Sequence, residues 1–138
     1  MRALIVESDT ELGQLWAGCL GARGLDAHWT DSVEEAFALL RSETYEVIIL
    51  DVVLGADTDG FAVSDYASVV QPEAQLIVAS NSDAFSDGSI FHLCANARAF
   101  VPAATAPEDL ATIAEHYART AHRRTGRPAF VSPSAASA

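Results

Sequence analysis

The chain is 138 residues long, half of it hydrophobic and 20% charged, with a formal net charge of −11 at pH 7. That composition belongs to one globular domain with a sizeable core and excludes disordered and fibrous classes. No apolar run approaches the roughly 20 residues that span a bilayer, and the negative charge argues against a partner bound by neutralising nucleic-acid phosphates.

Ala3-Leu-Ile-Val6 reads as a short buried strand that runs into Glu7-Ser8-Asp9. Helical spacing follows at Leu12, Leu15, Trp16, Cys19 and Leu20, with Asp9 as its cap and Gly24 as its stop. Leu25 to Thr30 alternates as an edge strand does. Asp31 or Ser32 caps a second helix, with Glu35 placed for a capping box and Val33, Ala36, Phe37 and Leu40 on its apolar face.

The run 46–51 lacks polar alternation: Val47, Ile48, Ile49 and Leu50 predict a strand buried on both faces, ending in Asp51. A loop from Gly55 to Gly60 leads to a third helix over about 61–70, which ends before Pro72. Leu76-Ile-Val-Ala79 is a buried strand ending at Ser80, and a fourth helix is expected over 87–96. Ala99-Phe-Val101 is the fifth strand, and Pro107 opens a last helix whose buried face is Leu110, Ile113, Ala114, Tyr117 and Ala118.

Five β-α units of this length predict a doubly wound, flavodoxin-like α/β fold, a five-stranded parallel sheet with five helices in a three-layer sandwich. The domain is expected over 1–121, with 122–138 as a flexible C-terminal tail rich in Gly, Pro, Ser and Ala. Cys19 and Cys94 sit in apolar helical patterns, as reduced buried thiols do. Reduced thiols make the cytoplasm the expected compartment, and Glu7 comes too soon after the start for a secretory signal. All eight basic residues are arginine, and there is no lysine.

In such a sheet the C-terminal ends of the first, third, fourth and fifth strands share one rim. That brings Glu7, Ser8 and Asp9 towards Asp51 and Ser80. Carboxylates held together repel, and a hard cation such as Mg²⁺ relieves the repulsion. A metal-bound aspartate beside a hydroxyl suits attack on an incoming phosphoryl group.

Over roughly residues 2–120 the chain resembles the receiver domains of two-component response regulators. The residues that carry the likeness are Ala3-Leu-Ile-Val-Glu7, Val47-Ile-Ile-Leu-Asp51-Val-Val-Leu54, Leu76-Ile-Val-Ala-Ser80 and the stretch Ala97 to Leu110. The resemblance implies that Asp51 accepts a phosphoryl group from a histidine kinase or phosphotransfer protein. It also implies that Ser80 contacts the phosphoryl oxygens, and that Ser80 and Phe100 form the switch. Mg²⁺ would be held by Glu7, Asp51 and the backbone carbonyl of Val53.

The departures matter as much. The family's second acid is Ser8 here, with Asp9 one residue further on, where only a shifted loop brings it to the metal. The family's lysine position holds Ala103. Metal binding and switching are therefore expected to be weakened, because a phosphoryl aspartate adds about two negative charges to a rim without that lysine.

Other chemistries fit worse. A haloacid-dehalogenase-like phosphatase would need an aspartate where Val53 stands, no phosphate-binding glycine loop follows a strand, and no hydrolase triad is visible. His28, His92, His116 and His122 share no metal-ligand spacing, and Trp16 and Trp29 read as packing residues. The expected function is a stand-alone atypical receiver without small-molecule turnover. It would act on a downstream protein through the face of the fourth helix, fifth strand and last helix, with a second copy of the chain as a further partner. The alternative is a pseudo-receiver, a phosphorylation-independent binding or dimerisation module.

Overall fold

A computed structural model describes residues 1–51, 60–80, 97–102 and 104–125, apart from the side chains of Ser80 and residues 123–125. In chain order the elements are β1 (Arg2–Val6), α1 (Thr10–Ala22), β2 (Asp26–Thr30), α2 (Val33–Ser42), β3 (Val47–Leu50), α3 (Gly60–Val70), β4 (Gln75–Ser80), β5 (Ala97–Pro102) and α4 (Pro107–Thr125). The expected helix over 87–96 lies outside the described residues, as do Cys94 and His92, so four helices are seen here rather than five.

The strands form one parallel sheet in the order β2-β1-β3-β4-β5. That is the flavodoxin-like order, with the first and third strands adjacent at the switch point. Alternate residues of the apolar runs serve opposite faces. Leu4, Val6, Ile48, Leu50, Leu76 and Val78 pack with α2 and α3, while Ala3, Ile5, Val47, Ile49, Ile77 and Ala79 pack with α1 and α4. Two covered faces explain why the central strands show no polar alternation. β2 and β5 are the edges, and Arg98 is an extra residue at a register shift near the start of β5, remote from its C-terminal end.

Local chemistry sets the helix ends. Gly24, at φ 89°, follows α1; its N–H reaches the Gly21 carbonyl and that of Leu25 reaches Leu20, a Schellman ending. The buried face of α1 is Gly13, Trp16 and Leu20, whereas Leu15 is half exposed and lies off the expected stripe. Ser32 caps α2 by accepting from the Glu35 N–H, but the capping box is not closed. Instead the Ser32 N–H donates to the Thr30 hydroxyl, and that hydroxyl donates to the Glu35 carboxylate. Buried Thr30 thus stands between the two partners of the expected box.

Where the chain enters β3, Gln71 joins three segments. Its amide donates to the carbonyls of Leu40 and Glu43 at 2.8 and 2.6 Å and accepts the Tyr45 N–H at 2.8 Å. Buried Tyr45 pairs its hydroxyl with His28 Nδ1 at 2.8 Å, and burial, helped by Glu43, pushes its phenol up to about 12. α4 continues to Thr125, past Ala121, where the sequence pattern fades. Its Glu115 accepts from Arg119 one turn on and from Arg23 of the α1 end, and both guanidiniums hold its carboxyl below the usual range. Among the described residues no helix is long and apolar enough to cross a membrane.

Candidate functional site

The C-terminal ends of β1 and β3 bring two acids together. Val6 pairs with Leu50, so the next residues of the two strands, Glu7 and Asp51, leave the sheet side by side. The Asp51 N–H donates to the Val6 carbonyl at 3.0 Å, which fixes the start of the loop against β1. Glu7 is 2% exposed, and its side chain is hydrogen-bonded to that of Asp51. Two carboxyl groups can make that bond only if one carries a proton.

Burial, followed by the Asp51 hydrogen bond and its charge, pushes the Glu7 carboxyl from 4.5 up to about 8. The N–H groups of Ser8 and Asp9 oppose that rise by donating to the Glu7 carboxylate, Ser8 at 2.9 Å. Near neutrality the Glu7 carboxyl therefore keeps its proton, chiefly because it is buried and next because Asp51 faces it.

The other expected site residues separate. Ser8 is exposed, and Asp9, also exposed, accepts the Leu12 N–H at 3.2 Å as the N-cap of α1. Ser80 ends β4 opposite Pro102 on the same rim as Asp51. Phe100 lies in β5 opposite Val78, half buried against the layer that includes Leu76 and Val78. Val53 and Ala103 lie outside the described residues.

The donor set suits Mg²⁺ as far as it goes. Two carboxyls that share a proton form a site where a divalent cation can replace that proton. Mg²⁺ commonly takes one or two carboxylates and completes its shell with water and phosphate. No group of three His, Cys, Asp or Glu able to hold a metal occurs among the described residues, so Glu7 and Asp51 would be the acids that hold it.

Asp9 then has a testable structural role. Asp9→Ala is expected to cost about 1 kcal/mol of stability, the usual price of an N-cap, and to leave the response to Mg²⁺ unchanged. Urea unfolding with and without Mg²⁺ measures both, and loss of the Mg²⁺ response would make Asp9 a ligand.

Sequence reading missed one residue here. Trp29, read as packing, also donates its indole N–H to the Glu7 carbonyl at 3.0 Å. Its place at the end of an edge strand beside β1 was the available signal.

No protein-family model and no curated protein matches the chain. Solved structures do. A CheY-like response regulator receiver domain protein from Methanospirillum hungatei JF-1 superposes with a TM-score of 0.78 at 22% identity, over 91% of this chain and 98% of that one. The receiver domain of NtrX from Brucella abortus gives 0.74 at 22% identity, over 86% and 98%. A response regulator from Burkholderia pseudomallei, described with a phosphorylated aspartic acid, a calcium ion and citrate, gives 0.73 at 18% identity, over 91% and 72%. The chain has the fold of the response-regulator receiver domains.

Proposed function

We propose that the chain is a receiver-type signalling module in which Asp51 accepts a phosphoryl group. The observation that carries this reading is the pairing of Glu7 and Asp51 at the ends of adjacent central strands, where burial and the facing Asp51 carboxyl push Glu7 up. A carboxylate oxygen of Asp51 attacks the phosphorus of a phosphohistidine on a histidine kinase or phosphotransfer protein. The phosphorus–nitrogen bond breaks, and the imidazole leaves with the bonding pair and takes up a proton. Mg²⁺, when bound by Glu7 and Asp51, supplies charge neutralisation for the incoming phosphoryl oxygens. The phosphorylated aspartic acid of the Burkholderia pseudomallei neighbour supports the same chemistry on this fold.

In this reading Ser80, at the end of β4, contacts the phosphoryl group, and Phe100 of β5 responds to it. The output is a protein contact on the side of β5 and α4. A second reading has its own support: Asp9 is engaged as a helix cap and the chain has no lysine. A constitutive binding module needs neither.

Incubation with acetyl phosphate and Mg²⁺, resolved on phosphate-affinity gels, separates the two. The phosphoacceptor reading expects a retarded band that requires Mg²⁺ and is lost in Asp51→Asn. No Asp51-dependent band, together with partner binding unaffected by Asp51→Ala, would establish the constitutive module instead.

A further inference from the structure

β1 ends at Val6, yet the next residue stays bound to the edge strand. The Glu7 N–H donates to the Thr30 carbonyl at 3.1 Å, and the Glu7 carbonyl accepts the Trp29 indole N–H at 3.0 Å. Both main-chain polar groups of Glu7 are thus held by consecutive residues of β2. The first turn of α1 is shaped around the same ring. A Cβ on Gly13 would lie 2.1 Å from Trp29 Nε1 and 2.4 Å from Cδ1, closer than any side chain permits, and the Gly13 N–H donates to the Asp9 carbonyl at 2.9 Å. The indole therefore sits between the end of β1 and the start of α1, and governs both ends of the three-residue link Glu7-Ser8-Asp9.

Ser8 is exposed and Asp9 caps the helix, so the placement of Glu7 alone decides where the second acid lies. We infer that Trp29 is a positioning residue for the acid pair: its indole holds the Glu7 main chain so that the Glu7 carboxyl meets Asp51. This rests on the proposed phosphoacceptor role of that pair. Groups that orient a metal ligand usually set affinity by about 10–100-fold without touching the metal.

Trp29→Phe keeps a ring beside Gly13 and removes the donor. Mg²⁺ titration followed by the ¹H–¹⁵N signals of Ser8 and Asp9, whose N–H groups bind the Glu7 carboxylate, reads occupancy directly. Acetyl phosphate labelling against Mg²⁺ concentration reads the consequence. The expected result is a half-saturating Mg²⁺ concentration raised about tenfold, with the maximal labelling rate retained. A merely destabilised fold would lower amplitude and leave half-saturation in place. Gly13→Ala, which displaces the ring but keeps its N–H, is expected to raise half-saturation in the same way, and carries the test if Trp29→Phe does not fold. Unchanged half-saturation beside a responsive wild type overturns this inference alone. A wild type with neither a Mg²⁺ shift nor a label overturns it together with the phosphoacceptor reading.

Discussion

Glu7→Gln is expected to stabilise the metal-free protein at neutral pH by about 3 kcal/mol, although it removes an ionisable group from the centre of the site. Unfolded, Glu7 loses its proton near 4.5; folded, it keeps the proton to about 8. Between those values the folded chain binds a proton that the unfolded chain has released, so stability falls as pH rises. The contribution is fully present below 4.5 and is lost as pH passes through about 8. Each pH unit crossed in this window costs about 1.4 kcal/mol, which gives about 3 kcal/mol by neutrality.

Glutamine carries the same donor and acceptor permanently. It can donate to Asp51 and accept the Ser8 N–H, with no proton to lose. Urea unfolding from pH 4.5 to 8 is expected to show a falling curve for wild type and a flat one for Glu7→Gln, the two meeting at the acid end. Added Mg²⁺ should restore wild type near pH 8 and leave the variant unchanged. Parallel curves would show that Glu7 is not the proton carrier.

The second large effect lies at the other end of the sheet. Gln71→Ala is expected to destabilise the fold by about 3 kcal/mol, since a partly buried main-chain group left without its partner costs about 1 kcal/mol or more and three are affected. The Leu40 and Glu43 carbonyls and the Tyr45 N–H each lose a bond of 2.8 Å or less. These groups lie where α2 ends and the chain enters β3, the strand that delivers Asp51. Urea unfolding measures the loss. A change below about 0.5 kcal/mol, the size of an ordinary surface substitution, would mean that water replaces the amide. The Mg²⁺ response should survive, because Gln71 and the acid pair occupy opposite ends of β3.

What the sequence made legible follows from how far each feature depends on neighbours in the chain. β1, β3 and β4 announce themselves because both of their faces are covered, and the alternation of β2 marks its edge position. The acids at the ends of β1 and β3 follow from those strands, as does the capping role of Asp9. The face of α1 was misplaced at Leu15 because a count of hydrophobic residues cannot see that Gly13 is buried under a tryptophan. The capping box is only half made for a similar reason: Thr30, on the preceding strand, takes up the Ser32 N–H and the Glu35 carboxylate that would have formed its second hydrogen bond.

Gln71 and Trp29 were hidden for a common reason. Each is a side chain that completes the hydrogen bonding of a backbone distant in sequence, and only the folded arrangement shows which backbone that is. The raised Glu7 carboxyl was illegible too. Sequence places two acids near one another, but burial decides that the Glu7 carboxyl is pushed up beside Asp51.

The most direct test of the central claim is chemical mapping of Asp51. After treatment with acetyl phosphate and Mg²⁺, borohydride reduction converts an aspartyl phosphate to homoserine, and cleavage after arginine isolates the segment between Arg41 and Arg98 that contains Asp51. The predicted result is homoserine at position 51, dependent on donor and Mg²⁺ and greatly reduced in Glu7→Gln. An unreduced Asp51 after full treatment, with the label absent or on another residue, would contradict the account.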